Sequence, residues 1–330
     1  MGLYAVFLAT GHTIRARSIK ANAIEKYLLC AATLVQAFDP HNRDPRRTNN
    51  NEKQLCVPVQ RVINEVRRFE NVPDRREPFD VPMLIHHLQK CYFHKKDSIT
   101  CCLGDWFIIG IHLGPRQSEW CQIQYKQEVG AEAQSPKGGR ALAFVRTDIT
   151  FLGPQKRRLQ WSDAIDKPDS VTDIRVRFDW QKNGDHGETK TIHRNSDKPN
   201  LCGVRAWIRV CVRFVLLRGN KIMNEPLAIH YDQKAKRVYN ITSTDVVKAM
   251  RCIARELYNM TDEKELSLFS CHSIRVGACC TLFSQGFTTE QIQQILRWRG
   301  QSWKRYLRDL VCIVAKQNRA INSAVEIPNL

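Results

Sequence analysis

The stretch best equipped for chemistry is Cys271-His272-Ser273-Ile274-Arg275, followed by Arg297-Trp298-Arg299-Gly300 and by Tyr306. His272 and Arg275 are three residues apart, so a helix projects both from one face. An imidazole and a guanidinium converging on one ligand suit a phosphate. Arg offers a planar fork of donors, and His can move a proton. Tyr306 lies eight residues after Trp298, within Ser302-Trp303-Lys304-Arg305-Tyr306-Leu307-Arg308. A phenol with a pKa near ~10 is a poor nucleophile at neutral pH. Cations around it favour the phenolate. A plain structural role also fits. A His-x-x-Arg pair arises readily by chance, and Trp303, Tyr306, Leu307 and Leu310 fall at the spacing of a core-facing helical stripe.

The rest of a phosphate site must come from upstream elements. The apolar run Ile99 to Leu113 ends in Gly114-Pro115-Arg116-Gln117-Ser118-Glu119. Gly-Pro breaks a helix, so Arg116 sits at a turn where its side chain can face a ligand. Between Val171 and Ile192 the chain reads as a hairpin. Ile174, Val176, Phe178 and Trp180 alternate with polar residues, Asn183-Gly184 supplies the turn, and Thr189 to Ile192 returns. Lys182 stands at the tip. Helices are expected over Val81–Tyr92, Val204–Leu217, Thr244–Tyr258, His272–Ser284 and Thr289–Arg297, the last with a capped start at Thr288 to Gln291.

The 330 residues hold one large domain or two ordinary ones, and a hydrophobic fraction of 43% excludes a disordered chain. A formal charge of +18 points to an anionic partner, with nucleic acid ahead of a membrane surface. No basic amphipathic helix with an aromatic face supports the membrane reading, and no apolar run reaches spanning length. The N-terminus lacks a signal-peptide pattern, and Val6 stands where a myristoylation signal wants Ser or Thr. The 13 cysteines are scattered without a C-x-x-C, and most, such as Cys211 and Cys252, lie in apolar helical stretches. They read as reduced, buried small hydrophobes of an intracellular protein, which disfavours zinc. No metal or other cofactor is expected.

Residues 1–40 are strongly helical, with Gly11 as a stop and a second helix from Ser18 to Phe38. Arg15, Arg17 and Lys20 at its start read equally as a solvated face or as a DNA-backbone contact. Residues 39–54 are polar and Pro-containing, which implies a loop or arm. Val57 to Phe69 resumes as a helix. The segment Glu70 to Pro78, with two prolines and a charge cluster, reads as an interdomain linker. The expected domains are a small basic helical one, 1–74, and a larger one, 75–330.

An Arg at a helix-breaking turn, a Lys on a hairpin, His and Arg on one helix, a Trp and then a Tyr occur here in one order. That order resembles the catalytic domain of the tyrosine recombinases, or phage-integrase family, over about residues 78–310. The segment Gly114 to Glu119 looks like the family's first-arginine box, with Glu119 matching its acidic residue. Residues 1–72 look, more weakly, like the family's core-binding domain. The Lys182-Asn183-Gly184 hairpin and the Arg297-Trp298 pair look most like recombinases of Crypton- or DIRS-like mobile elements. Many members carry Gly-His where this chain has Arg297-Trp298. An indole N–H can donate to a phosphate oxygen but cannot shuttle protons, which leaves His272 as the imidazole of the site.

The resemblance implies a mainly α fold with a small antiparallel β-sheet, an α+β protein. It implies Arg116, Lys182, His272, Arg275, Trp298 and Tyr306 as catalytic residues. Tyr306 attacks a phosphodiester to give a 3′-phosphotyrosyl link, Arg116 and Arg275 hold the non-bridging oxygens, Lys182 protonates the leaving 5′-oxygen, and His272 assists Tyr306. The implied partner is double-stranded DNA, bound by a homo-oligomer that assembles on it and performs integration, recombination or transposition. The location is the nucleus if the source is eukaryotic, otherwise the cytoplasm. The tail from Val311 reads equally as a docking segment or a frayed end. A type IB topoisomerase, an inactive DNA-binding relative and a basic scaffold protein are the competing readings.

Overall fold

The computed structural model describes residues 2–10, 21–38, 44, 46–48, 51–69, 75–121, 143–179, 186–298 and 306–307. The chain divides into two compact units, residues 1–74 and 75–330.

The first unit contains α1 (Gly2–Ala9), α2 (Ala21–Phe38), a hairpin of β1 (Arg47–Thr48) and β2 (Asn51–Leu55), and α3 (Val57–Phe69). Its core is Ala5, Leu8, Ile24, Leu28, Val59 and Ile63, with Leu55, Val62 and Val66 packed against it. On α2, Ile24, Leu28 and Ala32 are buried, whereas Leu29, Leu34 and Val35 are exposed. The segment expected as a loop, 39–54, instead carries the hairpin, with Arg47 opposite Leu55. Its polar composition hides it from a strand pattern. Arg46 grips the Asp44 carboxylate with Nε at 2.9 Å and Nη2 at 2.5 Å, and Leu55 anchors the end on the core. Gly11, Arg15, Arg17, Lys20 and the linker residues 70–74 lie outside the described residues.

The second unit is built on α4 (Val81–Cys91), α5 (Ile99–Leu113), the short α6 (Gln117–Trp120), β3 (Ile149–Leu152), α7 (Trp161–Asp166), β4 (Asp173–Phe178), β5 (Glu188–His193), α8 (Gly203–Arg218), β6 (Ile229–Asp232), β7 (Arg237–Asn240), α9 (Ser243–Tyr258), the short α10 (Glu263–Leu266), α11 (His272–Ser284) and α12 (Thr289–Leu296). It is mainly helical with small antiparallel sheets, β3-β4-β5 and β6-β7. β4 turns Ile174, Val176 and Phe178 inward, as its alternation implies. Trp180 and the Asn183-Gly184 turn lie outside the described residues. β3, α7 and the β6-β7 hairpin are additions to the sequence reading.

Helix α5 is apolar on nearly every face and is buried accordingly, from Cys102 to Gly110. It packs on α4, α8, α11 and β6. Trp106 on α5 stacks on Trp120 at 5.4 Å and meets Trp207 on α8 edge-on at 5.3 Å. An ion-paired cluster enters this interior. Asp105 accepts from Arg209 Nε at 2.6 Å and from Arg213 Nη2 at 2.7 Å, so its buried carboxylate is paired on both oxygens. Helix α11 crosses close by, which requires glycine. A Cβ on Gly277 would stand 1.9 Å from the Phe79 carbonyl oxygen.

Only half of the described cysteines are buried. Cys252 corrects the sequence reading. It lies on the exposed face of α9, where its Sγ is 3.3 Å from Glu256 one turn on. Among the described residues no helix is long and apolar enough to cross a membrane.

Candidate active site

Helix α5 ends where Gly114 takes a left-handed conformation, φ 50° and ψ 50°. A Cβ there would also stand 2.7 Å from Leu296 Cδ2, so glycine is needed twice over. Pro115 follows, and Arg116 is extended at the start of α6. Glu119 folds back on it. Its Oε2 accepts from the Arg116 backbone N at 2.8 Å, and its Oε1 accepts from Arg116 Nη1 at 3.0 Å. The Arg116 side chain keeps 24% of its surface exposed, while Glu119 is buried.

Helix α11 begins at His272 and, as expected, presents His272 and Arg275 one turn apart. Their environments differ. His272 is exposed on its solvent side, and its Nε2 lies 2.6 Å from the Tyr306 hydroxyl. Arg275 is 1% exposed and donates to the carbonyls of Gly114 and Leu296. It therefore ties the C-terminal ends of α5 and α12 together rather than opening its fork to solvent.

Thr288 caps α12 in exchange with Gln291, which accepts from the Thr288 backbone N at 2.8 Å. The helix stops at Leu296 rather than Arg297, because Arg297 turns left-handed, φ 57° and ψ 51°. That turn directs the Arg297 side chain inward. Nη1 donates to the Leu113 carbonyl at 3.1 Å, Nη2 donates to Glu119 Oε2 at 2.8 Å, and the guanidinium carbon lies 3.4 Å from the centre of the Phe178 ring. Trp298 then covers the Arg275 guanidinium at 4.7 Å and lies against Tyr306, ring centres 5.6 Å apart.

Tyr306 is held from several sides. Its ring meets the His272 ring at 5.4 Å, and its carbonyl accepts from Cys280 Sγ at 3.6 Å. Leu307 is buried beside Ala278, Cys279, Ile292 and Leu296. The hydroxyl thus faces His272 while the flanking chain packs on α11 and α12. Lys182 lies outside the described residues, as do Arg299, Gly300, Trp303, Leu310 and the tail 311–330.

The electrostatics follow from this crowding. Burial, reinforced by Arg297 and Arg116, lowers the Arg275 pKa to about 9, against the opposing pull of Glu119. Burial and then Arg116 lower Arg297 to about 10, although Glu119 pulls the other way. Burial, followed by Arg275, Arg76 and Arg116, lowers the His272 pKa to about 4. His272 is therefore neutral near pH 7, and its Nε2 can accept the Tyr306 proton.

The structure thus brings Arg116, His272, Arg275, Trp298 and Tyr306 to one place and adds Glu119 and Arg297. Arg297 is absent from the set of site residues that the sequence offers. Its sole signal there is a charged residue at the C-cap, where glycine is usual. Among the described residues no cluster of His, Cys, Asp and Glu is arranged to hold a metal ion.

No family model matches the chain, and no curated protein matches it. Solved structures do. The chain is similar to the Tn1549 transposon integrase in complex with transposon right end DNA, at 15% identity and a TM-score of 0.49, covering 98% of this chain and 84% of that one. It is similar to the XerH site-specific recombinase in a post-cleavage complex, at 14% identity and a TM-score of 0.46, covering 98% and 70%. It is similar to the XerA recombinase at 12% identity and a TM-score of 0.40, covering 97% and 90%. The structural neighbours of this chain are tyrosine recombinases.

Proposed function

We propose that residues 75–330 break and rejoin DNA through a covalent bond between Tyr306 and a backbone phosphate. The observation that carries this is the 2.6 Å contact between the Tyr306 hydroxyl and a neutral His272, near enough to the guanidinium groups of Arg275 and Arg116 to feel their charge. A nucleophile, a base and cationic side chains at one place suit phosphoryl transfer. An ordinary core tyrosine needs none of this company.

The Tyr306 oxygen forms the new bond to phosphorus, and its proton passes to His272 Nε2. The bond from phosphorus to the 5′-oxygen breaks, and Lys182 supplies the proton that this oxygen takes up. Arg116, which is partly exposed, contacts the phosphate directly. Arg275 acts from beneath, through its charge and through the two helix ends that it holds. The indole of Trp298 packs against the nucleophile and has an N–H for a phosphate oxygen. Reversal by another strand's 5′-hydroxyl restores the phosphodiester and makes the reaction a recombination. Residues 1–74 serve as a second DNA-binding domain, and several protomers assemble on DNA.

The test is a covalent-adduct assay. Wild-type protein on DNA should yield a band that resists SDS and is lost to protease. Tyr306→Phe should yield none while binding DNA as before. Tyr258 is a poor substitute nucleophile, since burial and its bond to Asp80 raise its pKa. A wild-type adduct yield from Tyr306→Phe would overturn the assignment. No adduct from either protein would leave a DNA-binding protein without strand-breaking activity.

A further inference from the structure

One arginine beside His272 has no part in the chemistry above. The chain from Arg76 to Phe79 passes the start of α11, and main-chain contacts fix its course. The Phe79 backbone N donates to the Ser273 carbonyl at 2.9 Å, the Phe79 ring is buried, and Gly277, without a Cβ, makes room for the Phe79 carbonyl. Three residues earlier, Arg76 Nη1 donates to the carbonyl of Ser267, the C-cap of α10, at 3.0 Å. Arg76 is exposed, and among the described residues no carboxylate forms an ion pair with it. Its neighbour Glu77 meets the charge of Glu265 instead, which together with burial, the larger cause, raises the Glu77 carboxyl above its usual range.

The tether sets this guanidinium near His272. Burial does most to keep the imidazole neutral, and of the charges that add to it Arg76 ranks behind Arg275 and ahead of Arg116. Arg275 is buried, whereas Arg76 stands at the surface. With Nη1 on Ser267, the edge formed by Nε and Nη2 suits the two oxygens of a phosphate. An arginine that served only solvation would lose rotamer freedom to such a tether for little return.

We propose that Arg76 binds a DNA backbone phosphate next to the one that Tyr306 attacks, and so sets the register of the strand on His272 and Tyr306. This rests on the strand-breaking function proposed above. The contact between Tyr306 and His272 marks where the attacked phosphate lies. Tyr306 and Leu307 pack on α11 and α12, whereas Arg76 is tethered to α10, so Arg76 meets the strand beside that phosphate rather than at it.

The test uses a duplex on which wild-type protein forms the adduct, with the attacked phosphate mapped, and two versions that carry a neutral methylphosphonate on one side of it or the other. Wild-type affinity should fall about fivefold, the worth of one exposed ion pair, on one of the two versions. Arg76→Met should lose about the same on ordinary DNA and nothing further on that version. Its affinity should also fall less steeply with salt, the slope of log K against log salt being shallower by about 0.9. A merely structural role would give losses that multiply with the methylphosphonate at both positions, and that result overturns the proposal, as does unchanged affinity. If Arg76→Met does not fold, Arg76→Lys decides. It keeps the charge and should remain sensitive to the same methylphosphonate, and equal affinity for all three duplexes overturns the proposal. If the wild-type protein forms no adduct on any DNA, the strand-breaking function fails. The salt slope of Arg76→Met on a random-sequence duplex then decides whether Arg76 holds a phosphate, and an unchanged slope overturns that contact.

Discussion

His272 should titrate far below an ordinary histidine in the DNA-free protein. Its pKa falls from 6.5 to about 4 through burial and the charges of Arg275, Arg76 and Arg116. That fall corresponds to about 3 kcal/mol between the neutral and charged ring. Solvent on the exposed side of His272 screens the charges, so we assign roughly half of it to the folded protein. Even so, His272 is almost wholly neutral at pH 7 and able to accept the Tyr306 proton. Nuclear magnetic resonance of the imidazole C–H signals across pH reads this directly. Arg116→Met and Arg76→Met remove positive charge and should each move the midpoint upward. A bound DNA phosphate should do the same, so DNA binds more tightly as pH falls through the window between the free and bound midpoints. The sign for stability runs in parallel. A pKa lowered on folding gives stability that is present above 6.5 and lost as pH falls toward 4. Buried His87, also near 4, adds up to about 3 kcal/mol in the same direction. A His272 midpoint at or above 6.5 without DNA, or one that ignores both arginine variants, would refute the reasoning.

Lys182→Ala should slow adduct formation on ordinary DNA and recover on a substrate with sulfur at the 5′-bridging position, because a thiolate leaves without a proton. Equal defects on both substrates would exclude Lys182 as the acid. DNA affinity should fall on the order of 10³-fold between about 50 and 200 mM salt if six or more phosphates are contacted, and a flat salt titration would count against an electrostatic interface. Gly277→Ala sets a methyl 1.9 Å from the Phe79 oxygen. It should cost roughly 1–3 kcal/mol and lower the thermal midpoint by about 2–4 °C per kcal/mol, and an unchanged midpoint would mean that α11 and Phe79 are less tightly set.

Sequence carried far where the signal was local. The apolar run of α5, the break at Gly114-Pro115 and the capped start of α12 are statements about neighbours in the chain, and the structure matches them. β3 has four residues and no alternation to count, and the hairpin at residues 47–55 is polar. Both are defined by pairing partners rather than by pattern. The same limit applies to the site. His272 and Arg275 share a helix and could be paired on spacing alone, but the Arg297–Glu119 bond joins residues 178 positions apart. Nor does spacing distinguish a partly exposed guanidinium paired with a carboxylate, like Arg116, from a buried one spent on two carbonyls, like Arg275.

That last contrast bears on how relatives of such a chain should be judged. Two helices point their C-terminal ends, and hence the negative ends of their dipoles, at the Arg275 guanidinium. Arg275 is the rivet through which α5 and α12 hold each other. A descendant that had given up DNA chemistry altogether would still need it to fold. If the proposed function holds, loss of Tyr306 or His272 would remove its chemistry, while survival of Arg275 would testify only that the scaffold is intact.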